Sequence, residues 1–94
     1  MEIRFYRDPD TGEPHIYEHG IVEEEVRQVL SGPGEDLPGT RNSRMKLGQT
    51  AVGRYLQVIY VPDEDGEGLF VITAYELRGK ARKAFRRRQR RKPR

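Results

Sequence analysis

His15 and His19 stand four residues apart with Glu18 between them, in a chain that has no other histidine and no cysteine. On a helix, side chains four apart share one face. Imidazole titrates near neutral pH, so either ring can take or give a proton in a catalysed step. The same residues spell His-x-x-Glu-His, an inverted zinc-peptidase motif. Such a site needs another ligand, for which Glu76 is the one candidate the sequence offers. The structural alternative is that one or both imidazoles hydrogen-bond to backbone and fix a short helix against a sheet.

A second set of residues is cationic. Arg44, Lys46 and Arg54 fall in or beside predicted strands, and Arg78, Lys80 and Arg82 open a predicted final helix. RNA cleavage by its own 2′-hydroxyl needs no metal, only a base, an acid and cations for the charge that builds on phosphate. Guanidinium suits the last task because it grips phosphate through two hydrogen bonds. Tyr55 and Tyr75 can stack on bases. Read structurally, the same cations cover strands and discourage edge pairing, while Tyr60, with Tyr55, fills core.

The charge is divided unevenly. From Arg78 to Arg94 there are 11 Lys or Arg and no acid, whereas the preceding 77 residues carry all 15 acids and a formal net of −8. Such asymmetry points to a polyanion or to an acidic partner protein. The tail adds salt-sensitive affinity for RNA by counterion release, or lies on an acidic protein segment, or is simply solvated. Without cysteine, disulfides and Cys-ligated zinc are excluded. No stretch resembles a signal peptide or reaches membrane-spanning length, so a cytoplasmic protein without membrane contact is expected.

These side chains must be positioned by a small α+β domain. Glu2 to Tyr6 alternates like a strand, Arg7 to Glu13 turns, and Pro14 opens a short helix closed by Gly20. Ile21 to Ser31 is a helix with Glu23, Glu24 and Glu25 matched to its dipole and a stripe of Val22, Val26, Val29 and Leu30. Residues 35–42 read as loop. Strands follow over Ser43–Gly48, Arg54–Val61 and Leu69–Tyr75, and the last two are apolar on both faces, as central strands are. In the final helix, from about Leu77, one arc carries Leu77, Ala81, Ala84 and Phe85, then Arg88. Docking is therefore expected to end near Phe85. This gives a domain over 1–87 and a basic disordered tail over 88–94.

The run His15-Ile16-Tyr17-Glu18-His19-Gly20-Ile21, with Glu24-Glu25-Val26 and Val29-Leu30, resembles the opening of BrnT-like proteins. Leu47-Gly48-Gln49-Thr50, then Gly53-Arg54-Tyr55-Leu56-x-Val58, is similar to that family's hairpin, and Ile72-Thr73-Ala74 and Arg82-x-x-Phe85-Arg86-Arg87 to its closing strand and helix. The resemblance spans roughly residues 3–88. It implies a RelE-like fold: an antiparallel sheet of three to four strands, two N-terminal helices and one C-terminal helix. It also implies the toxin component of a type II toxin–antitoxin pair, a metal-independent ribonuclease that blocks translation by cutting mRNA or rRNA and is neutralised by a cognate antitoxin. Where the family has basic residues after the closing strand, Tyr75 and Glu76 stand here, so part of the cationic site is either missing or moved to Arg78 and Lys80.

The expected catalytic set is therefore His15 or His19 for proton transfer, with Arg54, Arg78 and Arg82 on phosphate. Arg44, Lys46, Tyr55, Tyr75, Lys80, Lys83, Arg86 and Arg87 are expected to hold RNA. No cofactor is expected. The alternative is a non-catalytic RNA- or protein-binding module of the same fold.

Overall fold

The two most apolar segments become adjacent interior strands: β4 (Tyr55–Pro62) and β5 (Gly68–Glu76). The computed structural model describes residues 1–91. Around that pair stand β1 (Glu2–Phe5), β2 (Gly34–Pro38) and β3 (Arg44–Gln49), completing one five-stranded sheet in the order β1-β5-β4-β3-β2. A 3-10 helix (His15–His19) and α1 (Glu23–Ser31) lie between β1 and β2, and α2 (Gly79–Arg91) follows β5. Among the described residues no helix is long and apolar enough to cross a membrane.

Strand alternation gives each face its own core. Leu56, Val58 and Tyr60 of β4 are buried with Ile16 and Ile21, with Val26 and Val29 of α1, and with Val71 and Ala74 of β5. The opposite face is smaller: Leu47, Leu77 and Phe85 are buried there, with Met45 and Tyr55 packed against them. Between β4 and β5 the register slips, Ile59 pairing with Thr73 and Tyr60 with Val71. The extra residue, Ile72, makes a bulge that lets both Val71 and Ala74 reach the larger core.

The α+β class holds, and several finer expectations are corrected. The sheet is mixed rather than antiparallel, because β1 pairs parallel to β5, with Ile3 opposite Leu69. It has five strands, because residues read as loop form β2 against β3, with Asp36 opposite Lys46. That strand starts at Gly34 with φ 151°, where a Cβ would lie 2.0 Å from the Leu47 carbonyl oxygen, so only glycine fits. The first of the two expected N-terminal helices is a five-residue 3-10 helix, closed by Gly20 in the left-handed region at φ 71°. Val22 caps α1 from extended backbone and is half exposed, instead of joining the apolar stripe. Its amide donates to Glu25 Oε1 at 3.1 Å, one half of a capping box.

α2 begins at Gly79 rather than Leu77, and Ala81 is exposed. The helix also runs past the expected start of the tail, through Arg91. Arg88 does not project freely: its Nε and Nη2 donate to the Glu35 carboxylate of β2 at 2.6 and 2.8 Å. A bidentate ion pair thus extends the docking beyond the last apolar contact, Phe85. The expected tail's final residues, 92–94, lie outside the described residues.

Candidate functional site

β1 ends at Phe5, opposite Val71, so the rest of β5 has no strand on that side. The 3-10 helix packs there. The chain is steered to it by a bridge between Arg7 and Pro14 and by the His15 amide, which donates to the Tyr6 carbonyl at 2.9 Å. Ile16 is driven into the core, which leaves the histidines outside.

The result is a continuous row of rings along the sheet edge. Tyr6 and His15 have centroids 6.0 Å apart, His15 and His19 5.4 Å, and His19 and Tyr75 4.8 Å, the last two pairs meeting edge to face. Both tyrosines are 42% exposed, so their surfaces are open to a ligand. At the Tyr75 end, Glu18, His19, Tyr75, Glu76 and Arg78 line an open groove of about 370 Å³. Arg78 Nη2 sits 3.1 Å from Glu76 Oε1. The groove thus holds one exposed imidazole, one guanidinium, one stacking ring and two carboxylates.

His15 faces a different set. Its Nδ1 lies 3.6 Å from Glu18 Oε2 and 3.8 Å from Asp8 Oδ2. The Asp8 carboxyl is held below the usual carboxylate range, first by the Asp10 amide that donates to it, and further by Glu18 and the charge of His15. Asp8 went unnoticed in the sequence because Asp8-Pro9 reads only as turn chemistry.

Three expected RNA-contacting cations are engaged within the protein. Arg54 Nη1 donates to Glu25 at 3.0 and 3.1 Å and to the Gly20 carbonyl at 2.9 Å, while Nη2 lies 3.6 Å from Glu76. Burial works against its charge, but the bonds and charges of Glu25 and Glu76 prevail and raise its pKa. Arg44 Nε donates to Asp36 Oδ1 at 2.9 Å, and Asp36 Oδ2 accepts the Tyr60 hydroxyl at 2.6 Å. Lys46 Nζ donates to the Gly32 carbonyl at 2.8 Å, satisfying the C-terminal end of α1. The sequence showed these residues' charge but not their partners, which are remote along the chain.

The other cations gather on α2. Lys83, Arg86, Arg87 and Arg90 line one shallow groove of about 200 Å³. Tyr55 does not line the groove at His19: it meets Phe85 edge to face at 6.0 Å and carries the Arg86 guanidinium 5.9 Å above its ring. Lys80 and Arg82 are exposed at the start of α2, and neither lines the groove at His19. Of the expected catalytic set, His19 and Arg78 share a groove and His15 adjoins it. Arg54 reaches Glu76 at 3.6 Å without lining the groove, and Arg82 does not line it either.

No family model matches the chain, and neither a curated protein nor a solved structure does.

Proposed function

We propose that this protein acts on RNA as the toxin component of a BrnT-like toxin–antitoxin pair, on a RelE-like scaffold. The observation that carries this reading is the placement of His19 and Arg78 in one groove at the end of β5, from which the basic helix α2 departs. In it, α2 holds the phosphate backbone through Lys83, Arg86, Arg87 and Arg90, and the ring row stacks unpaired bases. His19 takes the proton of a 2′-hydroxyl, whose oxygen attacks the adjacent phosphorus. The bond to the 5′ oxygen breaks, leaving a cyclic phosphate, and the departing oxygen takes a proton from water. Arg78 steadies the charge on the phosphoryl oxygens. The partner implied is a cognate antitoxin able to cover this cationic surface.

A second reading, a non-catalytic RNA-binding module, is favoured by the carboxylates of Glu18 and Glu76 in the same groove and by the engagement of Arg54. Two acids facing one guanidinium, which is itself paired with Glu76, repel phosphate, whereas α2 carries cations without acids.

Growth on induced expression separates the two. The full chain is compared with His19→Ala, folding checked by circular dichroism, and each is titrated with single-stranded RNA at two salt concentrations. Arrest that His19→Ala abolishes supports the catalytic reading. Arrest that survives the substitution removes His19 from the site. Absence of arrest with salt-sensitive RNA binding selects the binding module, and absence of both discards RNA as the target.

A further inference from the structure

The geometry points to a binding site for one divalent transition-metal ion, zinc foremost, made by Asp8, His15 and Glu18. The ligand atoms of these three side chains all lie within 4.8 Å of one another. They come from two separate segments. His15 and Glu18 are three apart on a 3-10 helix, whose three residues per turn place them one above the other. Asp8 arrives from the turn after β1, folded back by its amide donating to the Glu13 carbonyl at 2.8 Å.

The spacing suits an ion better than a hydrogen bond. The imidazole Nδ1 is 3.6 and 3.8 Å from the two carboxylates, beyond hydrogen-bond reach. Ligands bound to zinc at about 2.1 Å in tetrahedral array stand roughly 3.4 Å apart, so a closure of a few tenths of an ångström brings either pair to that distance. The ligand chemistry agrees: one nitrogen and two carboxylate oxygens suit a borderline cation, imidazole selecting against calcium and magnesium. The Asp10 amide donates to Asp8 Oδ1 at 2.9 Å and leaves Oδ2 toward His15.

This site differs from the zinc-peptidase motif that the sequence spells. Asp8 replaces His19 in the ligand set, so His19 stays free for the role given it above. The ion would tie the 3-10 helix to the turn after β1, fixing one end of the ring row. Zinc binding at these three residues requires neither RNA nor its cleavage.

The test is calorimetric titration of the full chain with zinc chloride near neutral pH, beside Asp8→Asn, Glu18→Gln and the control Glu24→Gln. Asp8→Asn keeps an oxygen for the Asp10 amide while removing the charge. One zinc per chain is expected, weakened at least about tenfold by each of the first two substitutions and unchanged by the control. Histidine nitrogen spectra of the unaltered chain provide a readout that needs no variant: zinc is expected to move Nδ1 of His15. Lack of zinc binding, binding that Asp8→Asn leaves intact, or a response confined to His19 overturns the site.

Discussion

Arg54 Nη1 lies 3.0 and 3.1 Å from the two carboxylate oxygens of Glu25, across the seam between the start of β4 and the first turn of α1. One guanidinium thereby joins three parts of the chain, since Gly20 and Glu76 also reach it. Its side chain is only 26% exposed, so water cannot readily replace these partners. A residue that in sequence looked available to phosphate is a fastening of the fold.

Arg54→Ala is therefore expected to destabilise the protein by about 2 kcal/mol, between the small worth of an exposed pair and the larger cost of breaking a buried one. The denaturant midpoint measures this. RNA affinity should keep its salt dependence, because the slope falls by about one only for a side chain that neutralises a phosphate. A reduced slope with unchanged stability would return Arg54 to the binding surface.

Tyr60 makes a prediction at alkaline pH. Burial first, then the Asp36 carboxylate that accepts its hydroxyl proton, push its pKa up to about 12. An unfolded tyrosine titrates near about 10. The folded state thus binds this proton more tightly, and the stability it contributes is complete below the unfolded pKa. It is lost as pH rises from there through the folded value. Urea melts should show a decline across that window that Tyr60→Phe reduces, and tyrosinate absorbance should show a late-titrating component that the same substitution diminishes.

How far the sequence reached depended on whether a residue's role is local. β4 and β5 were legible because their apolar runs are long and bounded by turns, and Val26 and Val29 marked the buried side of α1. β2 was not legible: Gly34-Glu35-Asp36-Leu37-Pro38 holds one large apolar residue, and its side chains are anchored by Arg44 and Arg88 from elsewhere. The parallel pairing of β1 joins residues 2–5 to 68–71, a separation that no local pattern encodes. At the site, the histidine pair was visible as spacing, and its exposure follows from Ile16 being the residue turned inward. The neighbours Tyr6, Asp8 and Tyr75 depend on the sheet edge, which appears only once β1 is seen to stop at Phe5.

The attachment of α2 rests on little apolar packing, and that makes it separable from its charge. Leu47, Leu77 and Phe85 are the buried members of their cluster, and Phe85 is the one supplied by α2 itself. Truncating a buried phenylalanine typically costs about 3–5 kcal/mol. Phe85→Ala is expected near the low end, about 3 kcal/mol, because this cluster sits at the margin of the fold and can collapse inward. α2 should loosen with it, seen as faster amide exchange in Gly79–Arg91 than in β4. The double substitution Arg87→Ala with Arg90→Ala touches only exposed side chains and should leave the melting temperature unchanged. It should nonetheless lower the slope of single-stranded RNA affinity against salt by about 1.4, roughly 0.7 for each phosphate that α2 no longer neutralises. If that slope stays constant, α2 does not face the nucleic acid. If Phe85→Ala weakens binding while the double substitution does not, the apolar surface around Tyr55 meets RNA instead of the cations.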